Sequence, residues 1–192
     1  MMVWKVQLNC LKNNCLNMYK LTFIISLFYF LSACTNEMQK PKSDRYTAKQ
    51  FKDSLVAINK TLMESEDRLI EKFIERKQWP VVSTGTGLRY IIYEKGKGQN
   101  LAQIGQYASI SYIISLLNGK VCYQSKLGEK KSFTVEADDV ESGLHDGIKY
   151  MKVGDRAKLI IPSYLAHGLI GDMDKIPPKS TIIYDLKLIS LK

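Results

Sequence analysis

The chain has 192 residues, of which 45% are apolar and 24% are charged, and its formal net charge is +9. This composition is that of a globular protein with one or two domains, and it excludes an intrinsically disordered chain. The chain contains no basic block and no basic stripe interleaved with aromatic residues, so we predict no nucleic-acid partner.

An apolar run, LTFIISLFYFLSA, ends immediately before Cys34. It is short for a membrane-spanning helix but suits the apolar region of a signal peptide, which we predict over residues 1–33, with Met18 a more ordinary start than Met1. The Leu-Ser-Ala-Cys sequence at its end resembles the lipobox of bacterial lipoproteins. That resemblance implies a lipid on Cys34 and a location on the periplasmic side of the inner or outer membrane. A plain secretory signal with a coincidental cysteine is the alternative.

This prediction also accounts for the cysteines. Cys10 and Cys15 would be removed with the signal peptide, and Cys34 would carry the lipid. Cys122 would then be the one remaining thiol, so no intrachain disulfide is expected and the fold must be held together by its core.

The segment after the lipobox is polar. Residues 34–44 contain Pro41 and have no apolar periodicity, which is typical of a flexible tether between the lipid and the folded part. Thr47 and Gln50 then form a capping box, which is the sequence signature of a helix start.

An amphipathic helix is predicted over residues 45–79 and should reach about Gln78, because Trp79-Pro80 disfavours its continuation. Its apolar residues recur at helical spacing, at Phe51, Leu55, Ile58, Leu62, Leu69, Phe73 and Ile74. This stripe must pack on its own domain, on a second copy in a homodimer formed through residues 47–78, or on another partner.

After the helix the pattern changes to strands separated by turns. Asn118-Gly119 has the chemistry of a hairpin turn. One short helix is predicted near Val140–Met151, with Asp138 and Asp139 as capping side chains. Strands are predicted at 88–93, 107–117, 121–124, 131–135, 156–161 and 181–191. An antiparallel sheet wrapped on one short helix is an α+β fold.

Few side chains are candidates for chemistry. The chain has two histidines, His145 and His167, and lacks Cys-x-x-Cys and His-x-x-x-His pairs, so we predict no metal site. We expect His145 to be an exposed helical residue. No Gly-x-Ser-x-Gly elbow occurs, and helix capping explains Asp138, Asp139 and Glu141 better than glycoside chemistry does. The remaining tyrosine, isoleucine and leucine residues beside loops favour an apolar cleft.

Residues 88–192 resemble an FKBP-type peptidyl-prolyl isomerase, and we assign residues 80–192 to that domain. The resemblance is carried by SISY at 109–112, LNGK at 117–120, GLHDGIKYMKVGDRAKLIIP at 143–162, LAHG at 165–168, IPP at 176–178 and YDLKLISL at 184–191. The long preceding helix, the Trp-Pro break and the lipobox look like the lipoprotein FKBPs of Bacteroidetes, including those linked to gliding motility.

The resemblance implies an antiparallel sheet wrapped on a short helix and isomerase activity on proline-containing polypeptides, without a cofactor. Rotation about an X–Pro bond meets a barrier of about 20 kcal/mol. The planar amide is more polar than the twisted transition state, so a dry apolar cleft favours the twisted form. In this family a tyrosine of the loop before the IPP sequence donates a hydrogen bond to a substrate carbonyl.

By the same resemblance, five residues occupy the positions that form the family's apolar cleft. They are Tyr112 on the long strand, Val140 at the helix entry, Leu144 at the cleft floor, Ile176 before Pro-Pro and Tyr184 on the last strand. The position after Val140, which is usually isoleucine or valine, is occupied by Glu141.

Other positions depart from the family. Its Phe-Asp pair after the hairpin falls on Cys122-Tyr123, which removes a carboxylate associated with efficient catalysis. Its loop tyrosine falls on His167, which can still donate a hydrogen bond and would make binding depend on pH near about 6.5. A phenylalanine near the fourth strand falls on Lys131 by strict spacing, or on Phe133 if the register slips.

Three functions therefore remain open from the sequence. The first is a slow isomerase that assists the folding of exported proteins, which the apolar cleft residues favour. The second is a proline-pocket binding or chaperone module with weak or no isomerase activity, which Tyr123 and His167 favour. The third is a scaffold in an envelope machine such as gliding motility or secretion, in which the long helix carries the interaction.

Overall fold

The computed structural model describes residues 47–126 and 128–192. The predicted signal peptide, Cys34 and the tether lie outside them. The helices are α1 (Ala48–Lys77), α2 (Ser142–Ile148) and a 3-10 helix (Ser163–Leu165). The strands are β1 (Val82–Ser83), β2 (Arg89–Glu94), β3 (Tyr107–Leu116), β4 (Val121–Gln124), β5 (Lys131–Thr134), β6 (Arg156–Ile161) and β7 (Ile182–Leu191). None of the helices in these two ranges is long and apolar enough to span a membrane.

The seven strands form one antiparallel sheet in the order β1-β2-β6-β7-β3-β4, and β5 also pairs with β3. The two long strands, β3 and β7, pair along most of their length, with Ala108 opposite Leu191 and Leu116 opposite Ile182. The predicted α+β fold is confirmed, and β4 and β6 have the bounds expected from the sequence.

Helix α2 packs very closely on β6 because two of its residues are glycines. A Cβ atom on Gly143 would lie 2.3 Å from Cγ2 of Ile161, and one on Gly147 would lie 2.4 Å from Cδ1 of Leu159. Real Cβ atoms essentially never approach other atoms this closely, so a larger residue at either position would force α2 or the side chains of Ile161 and Leu159 to shift. This contact fixes the height of Leu144 above the sheet, and Leu144 is fully buried.

Helix α1 covers the other face of the sheet with its last third. Ile70, Phe73 and Ile74 are buried there against Ile160 and Ile183. Neighbouring residues of these strands, such as Leu159 and Tyr184, belong to the main core on the α2 side, as expected from the alternation of side chains along a strand. Packing of this part of the helix on its own domain is therefore confirmed.

The first half of α1 does not share this burial. The side chains of Phe51, Leu55 and Ile58 are 58%, 45% and 55% exposed, although they continue the same apolar stripe. The apolar stripe of α1 is therefore buried against the sheet in its last third and exposed to solvent in its first half.

Helix α2 is shorter than predicted and is not capped by Asp138 or Asp139. It spans Ser142–Ile148, its N-cap residue is Glu141, and no side-chain hydrogen bond caps it. The carboxylate of Asp138 instead accepts a hydrogen bond from the backbone N–H of Thr134 at 2.6 Å. The Asp138 carboxylate, which was expected to cap the helix, therefore stabilises the turn after β5 instead.

The expectation that His145 is exposed is also wrong. Only 7% of this residue is exposed, and its Nδ1 atom accepts a hydrogen bond from the backbone N–H of Glu136 at 2.9 Å. Because Nδ1 accepts, the proton lies on Nε2, which donates to the carbonyl oxygen of Asp138 at 2.9 Å. The imidazole holds the loop between β5 and α2 in place.

Candidate functional site

The residues predicted to form the apolar cleft come from four parts of the fold and join one cluster. Leu144 of α2 and Tyr184 of β7 are fully buried, and Ile176 of the β6–β7 loop is 2% exposed. Tyr112 of β3 and Val140, just before α2, are partly buried against the same cluster. The ring centroids of Tyr112 and Tyr184 lie 5.8 Å apart. The structure therefore brings these five residues together.

A buried carboxylate lies among them. The side chain of Glu141 is 8% exposed, and it accepts hydrogen bonds from the hydroxyl of Tyr184, which lies 2.9 and 3.0 Å from its two oxygens. Nε2 of His167 is 3.3 Å from Oε1, and Nζ of Lys131 is 3.9 Å from Oε2. Burial and the charge of Glu141 raise the pKa of Tyr184, and the same two causes raise the pKa of Tyr112. The cleft is thus not uniformly apolar.

Helix capping was the role expected for Glu141, and it is the N-cap residue of α2, but its side chain makes no capping hydrogen bond. The sequence signal that could have pointed to a polar contact in the cleft was the charged residue itself, at a position where the related family has isoleucine or valine. The structure shows why it is tolerated, since Tyr184 supplies a hydroxyl that hydrogen-bonds to it. His167, which was expected to offer a donor to substrate, instead directs Nε2 toward this carboxylate.

The two alternatives for the fourth-strand position have different surroundings. Lys131 lies next to Tyr112, with its ammonium 5.8 Å from the ring centroid. Phe133, two residues later on the same face of β5, is 1% exposed and packs its ring against His145 at 5.6 Å. The charged residue borders the candidate cleft, and the aromatic one fills the core beneath it.

Tyr123 of β4 holds the loop that carries Ile176. Its hydroxyl donates to Oδ2 of Asp172 and also lies 3.2 Å from Oδ2 of Asp174. Oδ1 of Asp172 accepts hydrogen bonds from the backbone N–H groups of Asp174 at 3.0 Å and of Ile176 at 2.7 Å. Two carboxylates of the loop therefore stand beside the strand position at which the family's own carboxylate is missing.

Cys122 supports the same loop from below. It is 4% exposed, and its thiol lies 3.4 Å from the carbonyl oxygen of Lys175, to which it donates a weak hydrogen bond. Burial raises the pKa of the thiol, which disfavours the reactive thiolate. In residues 47–126 and 128–192, no group of histidine, cysteine, aspartate and glutamate side chains could hold a metal ion.

The acid stability of the loop should depend on Asp172. Desolvation opposes its ionisation, but hydrogen bonds from Tyr123 and from the backbone N–H groups of Asp174 and Ile176 lower its pKa to about 2. An unfolded aspartate has a pKa of about 3.9, so this stabilisation is fully present above about pH 4 and is lost as the pH falls toward 2. We expect the free energy of unfolding, measured with urea, to fall over this pH range in the unaltered protein. In Asp172→Asn this contribution to the fall should be absent. An identical acid dependence of the two proteins would contradict the assignment.

Comparison with known proteins identifies the domain. Residues 98–189 match the sequence model of the FKBP-type peptidyl-prolyl cis-trans isomerases. The isomerase FkpA of Escherichia coli (strain K12) is 37% identical over 123 residues, which are 64% of this chain and 43% of that protein. FK506-binding protein 1 of Dictyostelium discoideum is 33% identical over 107 residues, which are 55% of this chain and 99% of that protein.

The fold agrees with the sequence match. The structure is similar to the crystal structure of FkpA from Escherichia coli, with a TM-score of 0.56 and 28% identity over 77% of this chain and 74% of that one. The sequence match spans less than half the length of the FkpA relatives from Escherichia coli and Buchnera aphidicola. It includes nearly the whole of the Dictyostelium protein, however. The chain therefore belongs to the FKBP-type peptidyl-prolyl cis-trans isomerase family.

Proposed function

We propose that this protein is a peptidyl-prolyl cis-trans isomerase that acts on proline-containing segments of exported polypeptides. The observation that carries the proposal is the joint burial of Leu144, Ile176 and Tyr184 next to Tyr112, in a chain that belongs to this family. Because Leu144 and Tyr184 are fully buried and Ile176 is 2% exposed, a proline ring would contact them only if the cluster opened beside the partly buried Tyr112.

The proposed mechanism requires no nucleophile. An apolar surface stabilises the twisted amide relative to the planar one, because the twisted amide has lost its resonance polarity. Tyr112, Leu144, Ile176 and Tyr184 would supply that surface. His167 would act as a donor to a substrate carbonyl only after its contact with Glu141 is shared or broken, which predicts a modest rate.

A protease-free isomerisation assay tests this function with peptides that differ in the residue before proline. We expect catalysis above the uncatalysed exchange, which takes tens of seconds or longer. Tyr112→Ala should lower kcat/KM by about tenfold, because a loss of about 1.4 kcal/mol of ring contact in the transition state has that effect. Tyr112→Phe is the matched control, because it keeps the ring. Rates equal to the uncatalysed ones for every peptide would reject the isomerase.

The exposed half of α1 favours a second candidate function, a chaperone or scaffold. Phe51, Leu55 and Ile58 present an apolar face that would bind unfolded chains, an envelope partner or a second copy through residues 47–78. Suppression of the aggregation of an unfolded protein without any isomerisation would support this alternative. Sedimentation equilibrium of the same preparation would show whether a homodimer forms, and a monomer at all concentrations would exclude it.

The proposed location is the cell envelope, with the lipid on Cys34 as the anchor. The support is the sequence of the apolar run and lipobox alone. Two acyl chains on one cysteine are sufficient for stable attachment to a membrane. Cys34→Ala should move the protein out of the membrane fraction, and an unchanged distribution would rule out the anchor.

A further inference from the structure

Glu66 of α1 contacts both ends of the loop that connects β6 with β7. Its Oε1 atom accepts hydrogen bonds from the backbone N–H of Ser163 at 2.7 Å and from the hydroxyl of Thr181 at 2.6 Å. Its Oε2 atom accepts a third from the hydroxyl of Ser163 at 2.8 Å. Ser163 and Thr181 are themselves 7% and 5% exposed. One partly buried carboxylate thus accepts hydrogen bonds from three donors of two buried residues.

These donors stand where the loop leaves and rejoins the sheet. Ser163 follows the end of β6 at Ile161, and Thr181 immediately precedes the start of β7 at Ile182. The intervening loop carries His167 and Ile176 into the candidate cleft. The pairing of Ile161 with Ile182 already holds the two strand ends together. The Glu66 carboxylate fixes the residues just beyond that pair, and this restricts the conformations of the rest of the loop.

The helix that carries Glu66 is itself firmly placed. Just after Glu66, Asp67 and Glu71 bind the buried guanidinium of Arg89, at 3.0 Å from Nη1 and 2.9 Å from Nη2 respectively. One turn after Glu66, Ile70 is fully buried against the sheet. Hydrogen bonds to a charged acceptor are stronger than those between neutral groups. A fixed carboxylate on a fixed helix is therefore a suitable anchor for the loop.

We propose that Glu66 is a positioning residue for the proline cleft and acts through the two ends of the β6–β7 loop. This inference rests on the proposed isomerase function, because the loop forms one wall of that cleft. By this proposal α1 contributes to the isomerase site. Loss of the Glu66 carboxylate would free the β6–β7 loop, which forms one wall of the cleft and is far from Glu66 in sequence.

The test compares three variants of the full-length protein. Glu66→Ala removes the acceptor, and Glu66→Gln retains an amide oxygen that can accept from Ser163 and Thr181. Glu71→Ala is the matched control, because it removes a carboxylate from the same helix and weakens helix docking without touching the loop. The readouts are amide hydrogen exchange of residues 163–181, which needs no substrate, and the separate values of KM and kcat.

For Glu66→Ala we expect faster exchange in this loop and a kcat/KM lower by about fivefold, mostly through KM. Glu66→Gln should restore most of both properties, and Glu71→Ala should change neither by more than about twofold. Equal effects of Glu66→Ala and Glu71→Ala would overturn the proposal, as would faster exchange with unchanged KM. If the unaltered protein fails to catalyse isomerisation, the proposed function fails, and the exchange data alone decide whether Glu66 holds the loop.

Discussion

Leu144→Ala is expected to lower the free energy of unfolding by about 2–5 kcal/mol and to reduce kcat/KM by at least about tenfold. Leu144 is fully buried and is the proposed floor of the cleft. The cost of such a truncation depends on whether the surroundings collapse into the space left behind. Here Gly143 and Gly147 already place α2 at its closest approach to β6, so the helix cannot move inward and the cavity should persist.

Urea unfolding measures the first effect, and the isomerisation assay measures the second on protein shown to be folded. Leu144→Met is the matched control because it conserves volume, and it should cost less than about 1.5 kcal/mol. Unfolding of Leu144→Ala at the same urea concentration as the unaltered protein would show that the site relaxes. Equal activities of the alanine and methionine variants would show that Leu144 is not the floor of the cleft.

Tyr184→Phe is expected to destabilise the protein by about 1–3 kcal/mol, because it leaves the carboxylate of Glu141 without its hydroxyl donor. That carboxylate is 8% exposed and cannot readily exchange the lost bond for water. Adding Glu141→Ile should recover most of the loss, since replacing both polar partners with apolar groups is often nearly neutral. The cleft would then be lined as in a typical member of the family.

A double-mutant cycle over Tyr184 and Glu141 measures this coupling by urea unfolding and by kcat/KM. We expect the double variant to be more active than the unaltered protein, because the cleft becomes more apolar and His167 loses its carboxylate partner. Strictly additive stabilities would refute the coupling. Lower activity in the double variant would mean that the carboxylate itself contributes to catalysis.

Six of the seven strands were predictable from the sequence because their signals are local, whereas the two-residue strand β1 was not predicted. The Asn118-Gly119 turn and the apolar patterns on either side of it determine β3 and β4, and β6 is an apolar run between a turn and a proline. The limits of α2 were not predictable in this way. After Ile148 the chain continues in tighter turns, with the N–H of Tyr150 bonded to the carbonyl of Gly147 and that of Met151 bonded to the carbonyl of Ile148. Apolar periodicity does not distinguish such turns from a helix.

The composition of the candidate cleft could be inferred from family resemblance, but its polar contacts could not. Glu141 and Tyr184 are 43 residues apart, and Glu66 and Ser163 are 97 apart. Contacts over such separations depend on the order of strands in the sheet and on the docking of α1, which no local pattern specifies. His145 illustrates the same limit, because its partners are backbone groups of a loop whose path had to be known first.

The alternation of side chains in β6 and β7 determines which substitutions in these strands affect the cleft and which affect the contact with α1. Leu159 and Ile161 face α2, whereas Ile160 between them faces α1. In β7, Tyr184 packs in the same core as the cleft residues Leu144 and Ile176, and its neighbour Ile183 packs against α1. Substitutions that adapt the cleft to new substrates and substitutions that adapt the helix contact therefore fall on different residues of the same strands. Substrate choice and helix attachment can diverge independently, provided that the strands do not shift register.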